Sequence, residues 1–147
     1  MNKNNIEKGD IGEREVVNLV PCPNCGKRLQ TLPKHYPMYD VQCTACYFRA
    51  QIKSRNMKPQ NTMTGAGWDI LHKVLRAGHT VPPLITNWKW MEGSRKHQYI
   101  VFYPFVPRKN IEHYKLSPTA VTANSKRFNY IGLNNLPSLT LYAKPKR

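Results

Sequence analysis

Two stretches of the chain carry apolar residues at helical spacing, and most of the remaining apolar positions read as strands. In residues 11–20 (IGEREVVNLV) the apolar positions are Ile11, Val16, Val17, Leu19 and Val20, with Asp10 placed to cap a short helix. In residues 64–77 they are Trp68, Ile70, Leu71, Val74 and Leu75, so a helix is expected there, with Trp68 in the core and Gly78 as the stop. Residues 39–43 and 47–54 are β-like and should pair as a hairpin. A strand follows Pro82-Pro83 within residues 81–90, with Trp88 and Trp90 pointing to one side, and the apolar run 97–106 (HQYIVFYPFV) reads as the central strand. Residues 130–133 and 139–143 read as short closing strands. Residues 1–8 read as a polar tail, 55–62 as a loop and 107–130 as a long basic segment without periodicity. The pattern is that of an α/β or α+β protein, and 147 residues fit a single domain.

Charge narrows the partners. With 23 Lys plus Arg against 8 Asp plus Glu, the formal net charge is +15. A small protein this basic is expected to meet a polyanion, nucleic acid first. An anionic membrane surface is second, and the absence of a long basic amphipathic helix counts against it. No run approaches the roughly 18 apolar residues of a membrane span. The N-terminus lacks the apolar stretch of a secretory signal. Any carboxylate chemistry must come from Glu7, Asp10, Glu13, Glu15, Asp40, Asp69, Glu92 and Glu112.

All four cysteines fall within residues 22–46, as Cys22-Pro-Asn-Cys25 and Cys43-Thr-Ala-Cys46, with 17 residues between the pairs. Each C-x-x-C turn aims two thiolates at one point, and two such turns complete a tetrahedral site for zinc. Four thiolates leave no open position, so the zinc is expected to hold the fold rather than to react. Two disulfides or a redox pair would be the alternative, disfavoured in a reducing compartment.

The second knuckle forms the tip of the hairpin, and folding about it brings Asp40 beside residues 49–53. Alternation places Gln51 and Lys53 on one face, so Asp40, Gln51 and Lys53 share it. A carboxylate and an amide oxygen can hold Mg²⁺, and a lysine beside them can orient the attacking water and offset phosphate charge. A solvated hairpin face is the bland alternative.

The spacing Asp40-x10-Gln51-x-Lys53 resembles the PD-(D/E)XK nuclease signature, with Gln in place of the middle acid. With Cys22-Pro23-Asn24-Cys25-Gly26, Asp40-x2-Cys43-x2-Cys46 and Gln51-Ile52-Lys53-Ser54, the chain is similar to the catalytic domain of DpnI-like restriction endonucleases, the Dam-replacing family. Gly65-Ala66, the stretch 116–120 (LSPTA) and the stretch 130–134 (YIGLN) extend the likeness over about residues 10–143. The resemblance implies a PD-(D/E)XK nuclease core: a mixed central sheet flanked by helices, with an embedded four-Cys zinc hairpin. It implies a Mg²⁺-dependent endonuclease that cuts double-stranded DNA at a short specific site, in a prokaryotic or phage cytoplasm. Asp40 would be the principal metal ligand, Gln51 would stand for the second acid, the Ile52 carbonyl would face the metal and Lys53 would be the catalytic lysine. Glu13 would add a ligand directly or through water. Tyr130 falls near the aromatic that helps read a methylated adenine in the family, where a Trp is expected, so methylation dependence is left open. No counterpart of the family's winged-helix domain is expected within these residues.

DNA contacts are expected from Ser54, Arg55 and Lys58 beside the site, and from Lys126, Arg127, Asn129 and Tyr130 in a recognition loop that mixes cations, amides and aromatics. The basic clusters at Arg95-Lys96-His97 and Arg108-Lys109 are further candidates. The competing functions are a non-catalytic zinc-dependent DNA-binding module and, below it, a zinc-ribbon RNA-binding protein. No segment declares an oligomer interface.

Overall fold

The structure, a computed structural model, describes residues 3–34, 36–113 and 127–145. Lys126 and the rest of the expected recognition loop before Arg127 lie outside the described residues. The described elements are α1 (Lys3–Leu19), β1 (Leu29–Thr31), β2 (Val41–Cys43), β3 (Arg49–Arg55), β4 (Met63–Ala66), α2 (Trp68–Arg76), β5 (Leu84–Glu92), β6 (Arg95–Tyr103), β7 (Ile111–His113), β8 (Arg127–Tyr130) and β9 (Leu139–Lys144). They form a mixed α+β fold that divides into two compact units.

The larger unit holds Met1–Pro59, Pro82–Pro104 and Pro137–Arg147. Its sheet has the order β1-β2-β3-β5-β6-β9. The β3–β5 pair is parallel, and the other pairings are antiparallel. The run expected to be central, β6, lies one strand in from the edge, and β3 and β5 occupy the middle. Strand position depends on which neighbours pair, and an apolar run carries no record of that. β2 and β3 do form the hairpin, with Val41 opposite Ala50 and Gln42 opposite Arg49.

Helix α1 begins eight residues before the expected start: Lys3 against Ile11. No proline interrupts residues 3–10, and Glu7 and Lys8 are good helix formers, so the turn propagates through a segment without apolar periodicity. It ends where Pro21 disfavours helical backbone at the residue before it. Val16 of this helix and Val20 just after it pack with Leu29, Val41, Ala50, Ile52, Ile85 and Ile100, and Cys22 and Cys43 belong to the same core.

The smaller unit holds Gln60–Val81 and Phe105–Leu136. Its antiparallel sheet is β4-β8-β7. β4 falls partly where helix was expected. Gly67, at φ +87°, turns the chain from strand to helix, a left-handed conformation that costs glycine little. α2 therefore starts at Trp68 and buries Leu71 and Leu75. Trp68 is only partly buried; it stacks between His113 (ring centroids 4.5 Å apart) and His72 (5.2 Å). The stretch 130–133 also differs from expectation: β8 ends at Tyr130, and residues 133–135 form a 3₁₀ turn.

Gly12 sets how closely α1 approaches the sheet. A Cβ there would stand 2.0 Å from Ser54 Oγ and 2.6 Å from Ser54 Cβ. Alanine in a helix interior normally gains about 1 kcal/mol over glycine. Here Gly12→Ala should instead destabilise by about 1–3 kcal/mol through overpacking. Denaturant unfolding in a double-mutant cycle with Ser54→Gly should show that most of this cost is coupling between the two positions. A Gly12→Ala protein more stable than the parent would contradict the close approach.

Candidate active site and cysteine cluster

The candidate site lies where β2 lets go of β3. Strand pairing between them ends at Val41 opposite Ala50, although β3 runs on to Arg55. The Asp40 N–H still donates to Ala50 O (3.0 Å), which keeps Asp40 level with the start of the open stretch. The next ladder donor, the Ile52 N–H, has no β2 carbonyl opposite it. It donates to Asp40 Oδ2 at 2.7 Å. A carboxylate thus replaces a strand carbonyl, and Asp40 is held by backbone at both ends. Alternation along β3 points Gln51 and Lys53 to the face opposite the buried Ala50 and Ile52.

Electrostatics tie Glu13 of α1 to this group. Burial and the neighbouring Asp40 carboxylate push the Glu13 carboxyl from 4.5 up to about 7, opposed by Lys53. Burial also raises Asp40, offset by the Ile52 N–H and the Lys53 ammonium. Burial lowers Lys53 from its ordinary value, while Asp40 and Glu13 pull it back up. The structure therefore brings Glu13, Asp40 and Lys53 into one interacting set, with Gln51 on the same strand face as Lys53. The Asp40 carboxylate thus raises the proton affinity of Glu13, and a partly desolvated lysine stands in the same field.

A polar network that sequence reasoning missed holds α1 in place. Asn87, fully buried in β5, donates from Nδ2 to Gly12 O (3.4 Å) and accepts at Oδ1 from Gln98 Nε2 (2.9 Å). Gln98 Nε2 also donates to Glu15 Oε2 (3.1 Å), and Lys89 Nζ pairs with Glu15 Oε1. An amide inside the apolar run Leu84-Ile85-Thr86-Asn87-Trp88 was the available signal, because a buried amide needs partners.

The four cysteine sulfurs lie within 4.8 Å of one another. Cys22 and Cys46 Sγ are 3.7 Å apart, and Cys25 and Cys43 Sγ 3.4 Å. A tetrahedral site with Zn–S bonds of about 2.3 Å needs sulfurs about 3.8 Å apart, so the donor set fits zinc. The Asn24 N–H points at Cys22 Sγ (3.4 Å) and the Ala45 N–H at Cys43 Sγ (3.3 Å). The Asn24 side-chain amide and then the Phe48 N–H draw the Cys46 thiol down to about 6. Such donors offset thiolate charge.

The expected DNA contacts separate. Ser54 is corrected: its hydroxyl is buried under Gly12, facing the helix rather than a ligand. Tyr130 is corrected too. Its side chain is 0 % exposed and packs edge-on against Phe128, so it is a core residue of the smaller unit with no face for a base. Arg55 is partly buried, and its Nη1 donates to Ser54 O (2.8 Å). Lys58 is exposed and lies 3.3 Å from Glu92. In the smaller unit Arg127 is exposed, and Asn129 Oδ1 accepts from Thr64 Oγ1 at 2.9 Å.

The raised Glu13 carboxyl has a consequence for stability. Between pH 4.5 and about 7 the folded protein keeps a proton on Glu13 that the unfolded chain gives up. Stability should therefore fall as pH rises through that window, and the loss should be smaller in Glu13→Gln. Thermal unfolding of the zinc-loaded protein without added Mg²⁺ across the window checks this, and parallel pH profiles for parent and variant would contradict it.

Comparison with curated proteins finds no match. Comparison with protein families gives one described as DpnI, the Dam-replacing family, over residues 3–141. That stretch includes Glu13, both cysteine pairs and the whole of β3. It is a family of methylation-related, restriction-type nucleases, for which DNA is the substrate class. The chain belongs to the Dam-replacing family.

Proposed function

We propose that the chain is a Mg²⁺-dependent endonuclease with a PD-(D/E)XK-type core, hydrolysing phosphodiester bonds of double-stranded DNA at a short specific site. The observation that carries this reading is the Glu13–Asp40–Lys53 set at the open edge of β3, in a chain of a nuclease family. Asp40 and Gln51 would hold the Mg²⁺, with the Ile52 carbonyl and Glu13 as further ligands. When bound, the ion lowers the cost of charge developing on the phosphate and favours an ionised water. Lys53, kept below its ordinary value by burial, orients that water and faces the phosphate oxygens. Water adds at phosphorus, the sugar oxygen leaves, and the leaving oxygen takes up a proton. Arg55 and Lys58 of the larger unit and Arg127 and Asn129 of the smaller one are the proposed DNA contacts that remain exposed or partly so.

Gln51 makes this a weak metal site, since Mg²⁺ favours charged oxygens. The net charge of +15 then has a specific use: it brings in the duplex whose phosphate completes the coordination. The zinc proposed at Cys22, Cys25, Cys43 and Cys46 is structural.

Digestion of methylated and unmethylated plasmids with Mg²⁺, followed by sequencing of the fragment ends, tests the activity and reads its methylation preference. Lys53→Ala should cut at least about 10²-fold more slowly without losing DNA affinity. Gln51→Glu should lower the Mg²⁺ concentration needed for cleavage. If neither the parent nor Gln51→Glu cuts either plasmid, the catalytic reading fails, and retained duplex binding would then favour a zinc-dependent DNA-binding module.

Zinc removal is a separate test. A strong chelator should release one zinc per chain, and the thermal transition should be lowered or abolished, because Cys22 and Cys43 lie in the main core. A chelated protein that melts like the parent would rule out a structural metal.

A further inference from the structure

A second cationic site lies in the larger unit. Cross-strand register creates it. Lys89 of β5 sits opposite Gln98 of β6, Gln98 sits opposite Lys144 of β9, and Met91 sits opposite Lys96. Directly paired residues share a face, and positions two apart along a strand share it too. Lys89, Lys96, Gln98 and Lys144 therefore stand on one face of three adjacent strands, the face that carries Ile85 and Asn87. Lys53 pairs with Thr86, so its side chain takes the other face.

These residues line a cavity of about 560 Å³, closed on other sides by Glu15 of α1, Asn56 and Trp90. That volume is within the range of small-ligand sites. Its charge balance selects the ligand. Lys89 is neutralised by Glu15, and Glu92 lies against Lys58 and His97. Among the described residues, no ion pair uses Lys96 or Lys144, so two ammonium groups remain in excess. A phosphate monoester carries about 1.5–2 negative charges at neutral pH and matches that excess. Asn56 and the Gln98 side-chain carbonyl supply amide groups of the kind that pair with base edges, and Met91 supplies apolar wall.

We propose that this cavity is a nucleotide-phosphate site, distinct from the catalytic one. The shared chemistry is a phosphate attached to a nucleoside, which can come from a free mononucleotide or from a strand of bound DNA. The proposal does not rest on the catalytic reading, because it is a statement about binding.

The test uses the whole zinc-loaded chain without added Mg²⁺. The emission of Trp90, isolated as the difference between the parent and Trp90→Phe, is followed while deoxyadenosine 5′-monophosphate, inorganic phosphate or a short blunt duplex is added. Phosphorus NMR line broadening of the mononucleotide reads the same binding without altering Trp90. A saturable response to the mononucleotide is expected, weakened by roughly ten-fold per lysine in Lys96→Glu and Lys144→Glu, as for a charge-assisted hydrogen bond. It should be unchanged in Lys53→Ala. A response to the duplex alone, weakened by the same lysine variants, assigns the site to a phosphate of bound DNA. Silence with every probe, or a response that the lysine variants leave intact, overturns the proposal. Loss of cleavage in Lys53→Ala with binding retained separates this inference from the catalytic one.

Discussion

The hydrogen bond from the Ile52 N–H to Asp40 Oδ2 is the point where fold and site become one object. β2 is three residues long, and pairing with β3 stops at Val41. An interior strand that loses its neighbour leaves a donor that must be satisfied. Asp40 satisfies it with a charged oxygen, which places a carboxylate at the rim of the gap without a separate loop to hold it. Burial then raises the carboxyl's proton affinity, and the backbone donor and Lys53 oppose that rise. The same bond that completes the sheet opposes the rise that burial imposes on Asp40.

The cysteine cluster reaches this point through the core rather than along the surface. Cys22 and Cys43 are buried with Val16 of α1 and with Val41, Ala50 and Ile52 of the hairpin. Cys43 ends β2, and its N–H donates to Phe48 O (2.9 Å) across the knuckle. The four sulfurs therefore clamp the closed end of the hairpin whose open end carries Asp40. On the other side of the core, Asn87, Gln98 and Glu15 hold α1 by hydrogen bonds while Gly12 lets it sit down on Ser54. Glu13 is the next residue, so the depth of the helix decides whether its carboxylate shares a field with Asp40 and Lys53.

Much of the candidate site was legible because it is local in the chain. The two C-x-x-C turns, the hairpin between them and the alternation of Gln51 and Lys53 all lie within residues 22–53, where spacing and pleat carry the geometry. α2 and β5 were legible for the same reason: an apolar stripe closed by Gly78, and an apolar run opened by Pro82-Pro83. Other features were not. The start of α1 had no apolar periodicity to announce it. β4 was hidden in a helical pattern, and Gly67, in a left-handed conformation, lets strand turn abruptly into helix.

By itself the sequence determined the cysteine donor set, the strand face shared by Gln51 and Lys53 and the excess of positive charge, since each depends on residue type and short spacing. Only the tertiary structure decided which polar side chains are exposed. Ser54 and Tyr130 have the chemistry of nucleic-acid contacts, yet a helix and a small sheet bury them. Lys89, Lys96 and Lys144, up to 55 residues apart, meet on one face through the register of β5, β6 and β9. The reason is physical: burial and cross-strand neighbours are set by long-range packing, and no local pattern of residues encodes them.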